Sequence, residues 1–278
     1  MNTFAISAGG ISCAYRISQP PVKALTVSHC HDKYEILYVV GGEGRYIVEG
    51  NEYEMRPGSL MVMRPFEYHC VEPKDGVLFE RYVLSFTAVS LPDDIKGLLL
   101  HFEGASHGGN FYSHETVSRT LVSAFERIAT VKSLPEEKRA LYLGMLVSEI
   151  VILLSASSAE ERLLQNGELG ARVIRYLNDN IEKNITLDDL AKRFFVSKYY
   201  LCRAFKRHNG ISIHGYLTQK RIMYAKQLIE SGESASSAAY RVGFGDYSAF
   251  YRAYVKLTGA APMLGRGERS KHELSDTE

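Results

Sequence analysis

Two stretches of this chain share one local pattern, and that repetition limits the fold more than any other feature. In ITLDDLAKRFFVSKYYLCRAFKRHNG at 185–210, Thr186 precedes Leu187 and stands three residues ahead of Asp189. This is the arrangement of a helix N-cap with a short-chained capping box. Leu187, Leu190 and Ala191 recur at the spacing of one buried helix face, and Phe194-Phe195-Val196 spans a turn. Ser197 then caps a second helix whose Leu201, Ala204 and Phe205 point inward. Helices this short and this closely joined pack at a steep angle. The pattern returns in SASSAAYRVGFGDYSAFYRAYVKLTGA at 234–260. There Ser234 and Asp246 are the caps, Ala235, Ala238 and Ala239 the close-packed face, and Val242-Gly243-Phe244 the turn, with Phe250 and Tyr254 inward. A helix over 213–230 joins the units; if straight it spans roughly 27 Å, against a major-groove repeat of about 34 Å.

This inward assignment leaves Lys198, Tyr199, Cys202, Arg203 and Lys206, with Arg207, on the outside of the first unit, and Tyr247, Ser248, Tyr251 and Arg252 on the outside of the second. Arg203 falls six residues after Ser197, and Arg252 six after Asp246. An arginine at that place on a helix in the major groove can bridge guanine O6 and N7. Lys206 and Arg207 are placed for phosphates. Charge is distributed to match: residues 168–267 carry 16 Lys and Arg against 8 Asp and Glu, whereas residues 1–167 carry 15 against 20. A basic end joined to an acidic one suits a DNA-binding domain attached to something else.

The rest of the chain reads differently. Residues 22–84 hold the runs ALTVSH, YEILYVV, GRYIVEG, NEYEMRP, SLMVMR and LFERYVLSF, punctuated by Gly41-Gly42, Gly50-Asn51, Pro57-Gly58 and Asp75-Gly76. Short strands at such spacing predict an antiparallel β-barrel or sandwich. EGASHGGN at 103–110 reads as loop, residues 115–131 and 136–154 as helices, and 155–167 as a linker. Beyond it, helices are expected over 168–180, 187–194, 198–208, 213–230, 235–242 and 247–258, with a short turn near 262–266 and a frayed polar tail from 267.

The C-terminal third resembles the AraC/XylS family of bacterial transcription regulators. The resemblance rests on ITLDDLAKRFFVSKYYLCRAFKRHNGIS, YLTQKRIMYAKQLIESG and AAYRVGFGDYSAFYRAYVKLTGAAP, with cores at Arg221–Ile229 and from Gly243. It implies that Tyr199, Cys202, Arg203, Tyr247, Ser248, Tyr251 and Arg252 meet bases or nearby backbone. Three departures concern the second unit. Ala235 and Ala238 replace larger aliphatic residues, Val255 halves a basic pair with Lys256, and the segment after Pro262 reads MLGR. The first unit is therefore expected to anchor specificity, on a more rigid support than the second.

The N-terminal part resembles a cupin: H-x-H-x3-E-x6-G runs from His29 to Gly42, and Pro57-Gly58 precedes His69. In metal-dependent cupins the residues matching His29, His31, Glu35 and His69 hold the ion, and the residue types suit a divalent metal. Within the regulator family the same segment, here HCHDKYEI, serves a small-molecule sensor that requires no metal. Tyr38, Arg45, Arg64 and Glu80 join the four as candidate effector-binding groups, with Tyr46, Tyr53 and Tyr68 as wall or core.

Together these features predict a two-domain chain. Residues 1–160 form a cupin-like barrel with appended helices, for ligand sensing and dimerisation. Residues 168–267 form an all-α domain with helix-turn-helix units at 186–208 and 234–258. The expected function is a non-enzymatic, DNA-binding regulator, an activator answering to a small molecule such as a sugar. Its expected partners are double-stranded DNA, that effector, a second copy and RNA polymerase. Two other readings stand at this point: a metal-dependent cupin enzyme with an accessory DNA-binding domain, and a ligand-independent DNA-binding protein. No secretion signal or bilayer-spanning run is read, since Glu149 interrupts the apolar stretch Leu146–Ile152. The four cysteines form no CxxC pair, which predicts a reducing, cytoplasmic setting with Cys30–Cys70 the one pairing to consider.

Overall fold

The computed structural model describes residues 3–20, 23–103, 109–159 and 169–263. The turn near 262–266, the polar tail, most of the expected linker and part of the glycine-rich loop lie outside these residues. The chain divides into two compact units, Met1–Ala171 and Arg172–Glu278.

The first unit begins with β1 (Phe4–Ala8) and β2 (Ile11–Ser18), a hairpin turning through Gly9 and Gly10 at φ 59° and 79°. A short helix α1 (Lys23–Thr26) follows where ALTVSH had suggested a strand. Six strands come next: β3 (Tyr34–Gly41), β4 (Gly44–Val48), β5 (Asn51–Met55), β6 (Leu60–Met63), β7 (His69–Pro73) and β8 (Phe79–Phe86). The short helices α2 (Asp93–Leu98) and α3 (Leu100–Glu103), strand β9 (Asn110–Tyr112), and helices α4 (Arg119–Ile128) and α5 (Glu136–Ser155) complete it.

The expected closed barrel is not formed. The strands make two open antiparallel sheets, one ordered β1-β2-β8-β3-β6-β9 and one ordered β5-β4-β7. Closure needs a hydrogen-bond ladder that returns to its first strand. Here β1 pairs only with β2, and the three-residue β9 only with β6. Burial on both faces of the large sheet gives the reason. Along β3, Tyr34, Ile36 and Tyr38 join a core with Leu121, Phe125, Leu146 and Ile150 of α4 and α5. The alternate residues Leu37 and Val39 pack with Tyr46, Tyr53, Val71 and Phe79, most of them from the small sheet. The result is three layers, helices on sheet on sheet. It also explains why YEILYVV is almost uniformly apolar rather than alternating.

In the second unit α6 (Leu169–Asn178) contributes Val173, Ile174 and Leu177 to the core. Five helices follow: α7 (Leu187–Phe194), α8 (Lys198–Asn209), α9 (Ile213–Glu230), α10 (Ala235–Arg241) and α11 (Tyr247–Thr258). The starts of α7, α8, α10 and α11 are set by the caps read from the sequence, and that of α9 by Ser212, which the sequence reading did not name. The Thr186 side chain accepts from the Asp189 amide at 3.1 Å while Asp189 reaches back to the Thr186 amide, a complete capping box. Ser197, Ser212, Ser234 and Asp246 cap the next four helices. Glycines at φ 71° and 72°, Gly210 and Gly259, end α8 and α11, as the left-handed C-cap requires. Leu187, expected inward, is 41% exposed at the first position of α7; Leu190 is the fully buried residue of that helix, with Ala191 half-buried beside it. Ala238 and Ala239 are wholly buried with Ile222, Ala225, Ile229 and Phe250, so the small residues of α10 leave no exposed gap on that side.

Candidate nucleic-acid interface and a histidine cluster

Helices α8 and α11 each bury one stripe and offer the opposite one to solvent. On α8, Leu201 and Phe205 are buried; Phe205 meets Tyr216 edge-on at 5.8 Å, and the Tyr216 hydroxyl donates to Asn178 Oδ1 at 2.8 Å. The outward stripe holds Tyr199, 76% exposed, with Arg203, Lys206 and Arg207 exposed and Cys202 half-buried. On α11, Phe250 and Tyr254 are buried, while Ser248, Tyr251 and Arg252 are exposed. Tyr247 is half-buried, its ring 5.7 Å from Phe250 and 6.5 Å from Tyr251. The structure thus brings Arg203 and Arg252 to corresponding places on two capped helices. Each lies free of ion pairs with the described residues, so each guanidinium keeps its full donor fork for a planar acceptor pair.

Within the helical unit, a residue not singled out individually by its sequence holds the two helix-turn-helix units together. Arg221, on α9, donates from Nε to the Ile181 carbonyl at 3.0 Å, from Nη2 to that of Lys183 at 2.6 Å, and from Nη1 to that of Gly243 at 2.9 Å. The first two carbonyls lie just before α7, and the third lies in the turn between α10 and α11. One side chain therefore ties the approach to the first unit to the turn of the second.

In the N-terminal unit the structure gathers His29, His31 and His69, with ligand atoms all within 4.8 Å of one another. His29 and His69 exchange backbone hydrogen bonds at 3.0 and 2.9 Å, an isolated bridge that brings the segment after α1 against the start of β7. Glu35, on β3, faces the same space. Its Oε2 lies 3.1 Å from His31 Nε2 and accepts from Ser85 Oγ at 3.4 Å, and its Oε1 lies 3.7 Å from His69 Nε2. Burial opposes charge on His31, but the Glu35 carboxylate outweighs it and holds the ring above its ordinary value. Burial likewise pushes the Glu35 carboxyl up, and its bond with His31 together with the other two rings brings it below the ordinary range. His69 is 3% exposed, and burial pushes it down to about 4.

The divalent ion implied by the cupin-like pattern fits these residues. His69 Nε2 is buried and has no hydrogen-bond partner, which is costly unless something else fills its lone pair. A cluster of three histidines able to coordinate a metal ion is present.

The other candidate effector groups lie elsewhere. Tyr38 points to the opposite face of the large sheet, stacked on Phe125 at 5.2 Å. Glu80 falls on that face too, by parity with Tyr82. Arg45 pairs with Glu52 and Glu72 at 2.8 and 2.6 Å on the small sheet, and Arg64 pairs with the buried Glu67 at 2.5 Å. The neighbour of Glu80, Arg81, is the unforeseen one: it is 3% exposed, lies 4.5 Å over the Phe79 ring, donates to Ser18 Oγ at 3.0 Å and leaves Nε without a partner. Alternation along β8 puts it on the Glu35 side, a placement available from the sequence only once the register is known.

None of the four cysteines forms a disulfide, so the Cys30–Cys70 pairing is not made. No helix among the described residues is long and apolar enough to cross a membrane. On α5, Leu141, Met145 and Ile152 are 70%, 59% and 46% exposed along a groove beside α2.

Comparison with known proteins is consistent across both units. A helix-turn-helix domain model matches residues 190–266, and an AraC-like ligand binding domain model matches residues 15–144. The uncharacterized HTH-type transcriptional regulator YbfI of Bacillus subtilis is 27% identical over 232 residues, 80% of each chain. The HTH-type transcriptional activator RhaS of Klebsiella pneumoniae is 27% identical over 229 residues, 80% of this chain and 81% of its own. The crystal structure of ToxT from Vibrio cholerae aligns over 92% of this chain and 96% of its own at 12% identity, with a TM-score of 0.36, too low to bear on the architecture.

Proposed function

The chain belongs to the AraC/XylS family of transcription regulators, and we propose that it activates transcription in response to a small molecule taken up by its N-terminal unit. Sequence-specific DNA binding and a non-enzymatic role come with the family, and the metal-dependent enzyme reading falls away. Activation is supported by the relatives whose names call them activators. A small-molecule response is supported by the match of residues 15–144 to a ligand-binding domain model.

The observation that carries the DNA-binding site is the matched pair of outward arginines. Arg203 and Arg252 stand at the same offset from Ser197 and Asp246, each on a helix whose opposite face is buried. In this reading Tyr199, Cys202, Arg203, Tyr247, Ser248, Tyr251 and Arg252 face base edges or adjoining backbone, and Lys206 and Arg207 neutralise phosphates. The first helix-turn-helix unit is read as the anchor of specificity, its α7 started by a full capping box. The exposed apolar line Leu141, Met145 and Ile152 supports pairing of two copies through α5, and a pair would read repeated half-sites.

Selection of duplexes from a random pool by the full chain tests this. The expected result is enrichment of one motif, with binding that weakens steeply as salt rises. A pool that stays random after repeated rounds would contradict it.

A further inference from the structure

The face of the large sheet that meets the small sheet is filled on one side and open on the other. Register carries Leu37 across to Val83 and Ala14, and Val39 across to Arg81 and Arg16. On β3, Leu37 and Val39 are buried against the small sheet. Across β8 and β2 that cover gives out: Val83 and Ala14 are half-buried and Arg16 is exposed. A strand that packs on a core favours branched and aromatic side chains, and the helix-facing side of β2 has them in Ile11 and Tyr15. Its other side carries Ser12, Ala14, Arg16 and Ser18. The small residues leave a shelf that solvent reaches past Arg16.

Two arginines close one end of this shelf. Arg16 and Arg81 stand directly opposite on adjacent antiparallel strands, which brings Cβ atoms to about 5 Å and sets like charges against each other. Neither forms an ion pair among the described residues. Arg81 is 3% exposed, and its Nη1 donates only to uncharged groups, Ser18 Oγ at 3.0 Å and the Phe79 carbonyl at 3.4 Å. Its Nε is buried without a partner, and Nη2 has none among the described residues. Burial, and then Arg16, push this guanidinium down to about 10. A buried cation left without an anion is strongly unfavourable. The idle nitrogens, Nε and Nη2, form the edge of the guanidinium that takes both oxygens of a carboxylate side by side.

Resting on the small-molecule response proposed above, we propose that the effector is a small organic carboxylate, its anionic group held by the Nε and Nη2 edge of Arg81 with Arg16 beside it and its body on the Val83 and Ala14 shelf. The opposite end of the shelf has the other sign. Ser85 lies four residues beyond Arg81, roughly 13 Å along β8, and donates to Glu35 Oε2 at 3.4 Å. A carboxylate there would face Glu35, so the negative end of the ligand is directed to the arginines and a hydroxyl or ammonium to the Glu35 end. Binding supplies the missing counter-charge between two strands of the large sheet, which couples occupancy to the stability of the N-terminal unit.

The experiment follows melting of the full chain, at fixed ionic strength, with compounds matched on one skeleton: glucose, glucuronate and glucose 6-phosphate; hexanol, hexanoate and hexyl phosphate; benzyl alcohol, benzoate and phenyl phosphate. The expected result is a higher melting temperature with a carboxylate and none with its neutral and phosphate counterparts. Calorimetry should show that carboxylate binding about tenfold or more weakly to Arg81→Met, and more weakly also to Arg16→Gln, whose exposed side chain is removed without disturbing the core. Without ligand, Arg81→Met should melt at or above the parent temperature, because an unpaired cation goes while the packing of the stem stays. A clear fall there would make Arg81 a structural strut and overturn the assignment. Equal binding of a neutral counterpart, or parental affinity in both arginine variants, would overturn the anionic class and leave a small-molecule response standing. A response to phosphates alone would overturn the carboxylate in favour of a phosphate ester. No response to any member of any class would overturn both.

Discussion

The Arg221 guanidinium donates to the Gly243 carbonyl at 2.9 Å, and the same glycine leaves no room for a side chain beside it. Gly243 sits at φ +88°, and a Cβ there would meet Arg221 Nη2 and the Glu182 carbonyl at 2.9 Å each. Both the conformation and the close approach need glycine. Gly243→Ala should destabilise the helical unit by at least about 1 kcal/mol. Arg221→Ala, which leaves three carbonyls short of a donor, should cost about 2–3 kcal/mol. Denaturant unfolding followed by helical signal checks both. Unchanged midpoints would mean that the strut between the two helix-turn-helix units contributes nothing.

Phe195 ends α7 in the left-handed region, at φ 55° and ψ 43°, with 94% of its surface exposed. That conformation costs an L-residue roughly 1–2 kcal/mol, and glycine escapes it, while glycine's looser unfolded chain returns about 0.5–1 kcal/mol of the gain. Phe195→Gly should therefore leave stability unchanged or raise it by up to about 1 kcal/mol, although an aromatic ring is removed. Phe195→Ala keeps the strain and should not gain. A clear loss of stability in Phe195→Gly would show that the ring packs in solution.

The cysteines divide by burial. Burial pushes the thiols of Cys13 and Cys70 up to about 12, so both should resist alkylation near pH 8, where only thiolates react. Cys202 is half-buried on the outward stripe of α8. Mass-spectrometric alkylation should modify Cys202 in the free protein and spare it when a bound operator duplex is saturating. Equal labelling with and without DNA would place that stripe away from the groove.

Much of the helical unit was legible in the sequence because capping is local chemistry. Thr186 with Asp189, Ser197 and Asp246 announce helix starts within four residues of chain, and the starts of α7, α8, α9, α10 and α11 fall where they were read. The β unit was harder, since sheet order and closure depend on partners far apart in sequence. The hairpin of β1 and β2 went unread, and the run ALTVSH, rich in β-formers, turned helical at Lys23–Thr26. The short strands suggested a barrel, and two open sheets formed because the large sheet also buries its second face under α4 and α5. The histidine cluster was half legible. The cupin-like spacing marked His29, His31, Glu35 and His69 as one set, but the carbonyls that orient the rings, and the choice of Arg81 over Glu80 on the inner face, depend on tertiary placement and register.

The most direct test of the central claim compares Arg203→Ala and Arg252→Ala for binding to the selected duplex and to a scrambled one at fixed salt. If α8 reads bases, Arg203→Ala should weaken specific binding by about 1–3 kcal/mol, roughly five- to 150-fold, and non-specific binding far less. Arg252→Ala should show the smaller loss of the two, and the reverse order would make α11 the anchor. An equal fall in specific and non-specific affinity on removing Arg203 would contradict base recognition by α8.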